Sequence, residues 1–118
     1  MRPETASSLA DARLACERII EIVAETTGNA YIEDWRTQSI VERLFTIIGE
    51  SLVRIRDFEE PIFLRLPEVQ RIIGFRNFLI HAYDAIDPAR VFTIAVIDVP
   101  VLISALNILL AEADAQGL

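Results

Sequence analysis

The sequence predicts an all-α fold, an antiparallel bundle of four or five helices, with residues 1–118 forming a single domain. Apolar residues recur at three- and four-residue spacing through most of the chain, the period of helices with one buried face. Cap and stop residues stand at the ends of those runs. Strand signals are weak: Arg90 to Val101 holds β-branched residues but lacks clean alternation and is flanked by helix starts.

The first run places Leu9, Ala12, Cys16, Ile19, Ile20 and Val23 on one stripe, with Ser7 or Ser8 expected to cap it and Gly28 to end it. The second carries Ile40, Val41, Leu44, Phe45, Ile48, Leu52 and Ile55, with Thr37 as the expected cap and an earlier turn over Ile32 to Trp35. Gly49 lies inside this run, where glycine costs about 1 kcal/mol against alanine. A close helix crossing is expected to compensate. Pro61 and Pro67 bracket a short connection, Ile62 to Leu66, and a third helix runs from Glu68 to His81. Asp87-Pro88 pairs an N-cap with a first-turn proline and opens a fourth helix carrying Phe92, Ile94 and Ala95. Asp98 and Pro100 either kink that helix or restart it before Val101, Leu102, Ala105, Leu106 and Leu109 extend the apolar face.

Composition narrows the functional classes. A chain of 118 residues can bury a core without metals or disulfides. Cys16 is the single cysteine, which excludes an internal disulfide and suits a reducing, cytoplasmic setting. No basic-then-apolar leader opens the sequence. The apolar fraction is 53% and the mean hydropathy +0.37, high for a small soluble protein. The best membrane candidate, Val91 to Ala111, holds Asp98, Pro100 and Asn107 near its middle, and a central aspartate costs roughly 2.5–3.5 kcal/mol on insertion. An oligomer with an apolar seam, not a membrane span, is the expectation. The net charge of −7 argues against broad nonspecific nucleic-acid binding. All eleven positive charges are arginine, so any phosphate contact uses a bidentate guanidinium fork.

The segment Gly74-Phe75-Arg76-Asn77-Phe78-Leu79-Ile80-His81-Ala82-Tyr83-Asp84 holds the only histidine. Histidine can take and give a proton near neutral pH. On a helix Asn77 and His81, four apart, share a face, and Arg76 and Tyr83, seven apart, return to nearly one stripe. Arg76 and His81 stand about 140° apart, too wide for a tight contact on one straight helix. A helix end near His81, or two copies facing across a two-fold axis, would bring them together. Such a set suits RNA backbone cleavage without metal. The imidazole would deprotonate the ribose 2′-OH or protonate the leaving oxygen, the guanidinium would stabilise the phosphorane charge, and Asn77 would orient the imidazole. The competing structural reading makes His81 a hydrogen-bonded core or interface residue and Arg76 a salt-bridge partner of a carboxylate such as Asp84. No cysteine, histidine or carboxylate cluster has metal-ligand spacing, no glycine-rich phosphate loop is present, and no cofactor is expected.

Arg76-Asn77, three residues, His81, one residue, Tyr83 resembles the signature of HEPN domains. Val41-Glu42-Arg43 through Ile47-Ile48-Gly49-Glu50, Ile72-Ile73-Gly74-Phe75, and Asp98-Val99-Pro100-Val101-Leu102 resemble its HepT-like branch, the toxins of MNT–HEPN toxin–antitoxin modules. The likeness spans Leu9 to Leu110. It implies a helical-bundle homodimer, or a higher homo-oligomer, dimerising through the motif helices. It implies an endoribonuclease with Arg76 and His81 catalytic and Asn77 supporting. The implied partners are RNA and a cognate MNT-type nucleotidyltransferase antitoxin, which in some members silences the toxin by attaching AMP to the tyrosine that corresponds to Tyr83. Ala82 stands where the family often has glycine, and Trp35 and the Pro61–Pro67 segment are less typical. Because the net charge is acidic, an RNA groove must be locally positive, with Arg71 and Arg76, and further Arg65 or Arg90, supplying it. The bland reading of those other arginines is a solvated or salt-bridged surface. The alternative function is a non-catalytic module that binds a nucleotide or presents itself to a nucleotidyltransferase. A third reading is an interaction bundle with a buried, inert histidine.

Overall fold

In the computed structural model, which describes every residue but Ala82 and every side chain but those of Ala82 and Tyr83, the backbone is helical, with no strand among the described residues. Among the described residues six helices follow in order: α1 Pro3–Ala24, α2 Gly28–Ile32, α3 Trp35–Phe58, α4 Glu60–Phe63, α5 Val69–His81 and α6 Pro88–Ala115, with a 3-10 turn at Tyr83–Ala85 between the last two. The long helices α1 and α3 pack together, α6 packs on α1, and α5 packs on α3. Leu9, Cys16, Phe45, Ile48, Leu52, Ile72 and Leu102 are fully buried between them. The Cys16 thiol is pushed up to about 12 by burial, with Glu17 adding to it, as a core cysteine should be.

Several boundaries differ from the sequence expectation. Helix α1 begins at Pro3, with no side-chain cap on Arg2. Ser8 is buried within it, its Oγ accepting from Arg54 Nε at 3.4 Å. A proline in the first turn needs no donor partner and presets φ, so it replaces the serine cap. Gly28 opens α2 instead of ending α1. The cap of α3 is Asp34, not Thr37: its Oδ1 accepts from the Thr37 backbone N–H and its Oδ2 from the Thr37 hydroxyl. Helix α5 starts one residue after Glu68, because Glu68 sits in the left-handed region at φ 59°, a conformation outside any right-handed helix. Helix α6 neither breaks nor restarts at Pro100. Pro100 and Val96 both face solvent, so water can satisfy the carbonyl that the proline leaves unpaired.

Among the described helices α6 is the one long and apolar enough to cross a membrane. In this fold its Val91, Ile94, Val99, Leu102 and Leu106 face fills the core. Ile97 and Ile108 remain 60% and 61% exposed on its outer face.

Three surface carboxylates are held below their ordinary values. Asp34, ordinarily 3.8, is lowered first by the Thr37 hydroxyl. Glu59, ordinarily 4.5, is lowered by the Arg2 backbone N–H, and Glu112, ordinarily 4.5, by Arg65. A carboxylate lowered on folding stabilises fully above its ordinary value and loses that contribution as pH falls through the lowered one. Glu42 opposes them. Burial raises its carboxyl, so acid relieves a desolvation cost there. The melting temperature is therefore expected to fall from pH 5 towards pH 3, and to fall less in Glu112→Gln. An equal acid slope in that variant would remove the Arg65–Glu112 pair from the explanation.

Candidate active site

The crossing of α3 and α5 sets the site. A Cβ on Gly49 would lie 2.5 Å from both Cβ and Cγ of Arg76 and 3.1 Å from its Cδ. Glycine is thus required where the Arg76 stem crosses α3, the close approach that Gly49 predicts. Phe45 and Phe75 meet edge-on nearby, with centroids 5.1 Å apart, and further tie the two helices.

With its stem pinned, the Arg76 guanidinium is held on two sides. Nη1 donates to Asn77 Oδ1 at 2.8 Å, and Nη2 lies 3.8 Å from Glu50 Oε1. Nε is buried with no partner among the described residues. The side chain keeps 25% exposure, so part of the fork remains open to an anion. Asn77 therefore holds the guanidinium. The sequence expectation has it hold the imidazole instead, but no hydrogen bond joins it to His81 among the described residues. Glu50 belongs to this constellation as well. Its signal in the sequence is its place beside Gly49, the residue that demands the crossing.

His81 is the last residue of α5 and is exposed. Within a single chain His81 is therefore not sealed in the core. The helix end near His81 that the sequence allows is present, but Arg76 still stands about 140° round the same helix. The angular rule that put Arg76 and Tyr83 on one stripe applies only as far as His81, where α5 ends. The Tyr83 side chain and the Ala82 departure lie outside the described residues.

The other arginines divide. Arg65 donates through both Nη atoms to the two Glu112 oxygens, Nη1 to Oε2 at 2.8 Å. This bidentate pair commits Arg65 to α6, as the salt-bridge reading had it. Arg71 is 55% exposed, with Nη1 3.6 Å from Oδ1 of the buried Asp98. It therefore links α5 to α6 while keeping open surface. Arg90 is exposed, with no ion pair among the described residues. No group of three or more metal-binding side chains converges among the described residues.

An all-helical bundle with Arg76, Asn77 and the helix-terminal His81 on one helix agrees with the arrangement that the HEPN resemblance implies. The family model "Ribonuclease HepT-like" matches residues 12–109. The chain belongs to the HepT-like ribonuclease family. No curated protein and no solved structure matches it.

Proposed function

We propose that this protein is a metal-independent endoribonuclease of the HepT type, the toxin of a toxin–antitoxin pair, acting as a homodimer. The observation that carries the reading is the Arg76 guanidinium: pinned over Gly49, steered by Asn77 and Glu50, and still partly open. A guanidinium so held is ready for a phosphate without reorganisation.

The reaction is internal transesterification. A base takes the proton of the ribose 2′-OH, and that oxygen attacks phosphorus. The P–O5′ bond breaks and the leaving oxygen receives a proton. The products are a 2′,3′-cyclic phosphate and a 5′-hydroxyl. His81 is the acid–base group, worth about 10²–10⁴ in rate. One chain holds one histidine, and its Arg76 lies on another side of α5. A second copy facing the first would complete the set.

Gly74 supports an α5–α5 pairing on the face that also carries Phe78 and His81. It is exposed on α5, and a Cβ there would meet nothing within 4 Å. It costs about 1 kcal/mol of helix stability with no return inside one chain. Phe78, four residues on, is 42% exposed. A close approach of the partner's α5 would use both. Gly74→Ala is expected to stabilise the single chain and to weaken dimerisation, and Gly74→Leu to abolish it, in sedimentation against concentration. Unchanged dimerisation in Gly74→Leu would place the interface elsewhere.

The silencing partner is a nucleotidyltransferase that transfers AMP from ATP to the Tyr83 hydroxyl, with pyrophosphate leaving, and so adds negative charge close to the motif. Expression of the wild type alone should arrest growth, and co-expression of a nucleotidyltransferase from the neighbouring reading frame should relieve the arrest. Toxicity that persists in both His81→Ala and Arg76→Ala would overturn the site. The acidic charge of −7 favours one second reading, a non-catalytic module that grips a nucleotide phosphate through Arg76. Arg76-dependent nucleotide binding in a wild type that cleaves no RNA would establish it.

A further inference from the structure

The chain's one tryptophan is Trp35, the first residue of α3, and it is 69% exposed. An indole normally buries most of its area, so exposure on this scale asks for an explanation. The Arg36 guanidinium lies over its ring, 5.4 Å from the centroid. That cation steadies one face of the indole without covering the other.

Its position on the bundle is informative. Trp35, Glu42 and Gly49 stand seven residues apart on α3. Two such steps rotate by about 40° in total, so Trp35 extends the stripe of α3 that Arg76 crosses. Helix α5 runs back along α3, joined to it through the short α4. From the Gly49–Arg76 crossing, Trp35 lies about 21 Å along α3, and His81 about 7.5 Å in the same direction along α5. For antiparallel axes the backbone of Trp35 therefore lies about 13 Å further along the bundle than that of His81. A short stretch of single-stranded RNA spans that gap.

Resting on the ribonuclease reading, we propose that Trp35, steadied by Arg36, stacks an unpaired base of the RNA strand a few nucleotides from the scissile phosphate. Every base offers a π-face, so this subsite selects single strands over duplexes and is tolerant of sequence. A protein-docking tryptophan would sit at the centre of an apolar patch. Of its chain neighbours, Glu33, Asp34, Arg36 and Ser39 are exposed and polar, and Ile32 and Ile40 are exposed and apolar. Both Asp34 oxygens are occupied by Thr37.

The single tryptophan makes the test direct. Its fluorescence is followed in full-length His81→Ala while single-stranded oligouridylate, oligoadenylate, an RNA duplex or inorganic polyphosphate is added. Quenching by both single strands, and not by duplex or polyphosphate, is expected. In cleavage by the parent enzyme, Trp35→Ala should raise KM about tenfold with kcat little changed, and Trp35→Phe should recover most of the loss. Binding of RNA without quenching, together with an unaltered KM in Trp35→Ala, would overturn the subsite and leave the ribonuclease intact. Quenching by RNA in a wild type that cleaves none would keep the subsite and remove the ribonuclease reading. Quenching by a nucleotidyltransferase partner and not by RNA would overturn the subsite in favour of a protein-docking role.

Discussion

His81→Ala is expected to slow RNA cleavage by about 10²–10⁴-fold, the usual worth of a general acid–base group, while leaving the melting temperature almost unmoved. The imidazole is exposed at the last position of α5, and surface substitutions away from packed features change stability by roughly 0.5 kcal/mol or less. Arg76→Ala should cost about 10²–10³-fold, the loss of a preorganised charge stabiliser. It should also cost stability, because its stem packs over Gly49. Arg76→Lys separates the two effects. It keeps a stem and a charge but not the planar fork, so stability should return further than activity. Single-turnover cleavage, with thermal melts of each variant, reads all of this. A His81→Ala enzyme at the parental rate would end the assignment.

Gly49→Ala carries the second large effect. The added methyl would fall 2.5 Å from Arg76 Cβ and Cγ. Those atoms sit at the root of the side chain and cannot swing aside, so α3 and α5 must separate. Overpacking of this kind costs about 1–3 kcal/mol, against about 1 kcal/mol returned by the better helix former. The balance is destabilising. The effect on activity should be larger, because a displacement near 1 Å at a positioned catalytic group can cost about 10²-fold. Gly74→Ala is the control on the same helix pair. It has open space around it and should stabilise the single chain. Denaturant melts compare the two glycines, and single-turnover rates compare Gly49→Ala with the parent. A Gly49→Ala protein with higher stability and full activity would mean that the crossing is not as tight as described.

The two glycines also show what a sequence can carry. Gly49 implied a close crossing because a helix does not tolerate glycine without cause, and the structure places Arg76 there. Asp87-Pro88 and the Pro67 break bounded α6 and α5 well, since proline restricts the backbone whatever packs around it. Positions decided by tertiary packing were harder to read. Ser8 looked like a cap but is buried against Arg54. Pro100 looked like a break, yet α6 runs through it with that turn facing solvent. In the candidate site, chemistry and the family resemblance single out Arg76 and His81. They do not single out the ion pairs. Glu50 reaches Arg76 across helices, and Arg71 shares Asp98, pairings that no local spacing reveals.

The central claim is that Arg76 and His81 cleave RNA by activating its own 2′-hydroxyl. The most direct test is the chemistry of the cut ends, after purified protein has acted on a single-stranded RNA in excess chelator. The expected termini are 2′,3′-cyclic phosphate and 5′-hydroxyl, formed by the wild type and not by His81→Ala. Termini bearing a 5′-phosphate, an absolute need for a divalent metal, or equal cleavage by His81→Ala would contradict it.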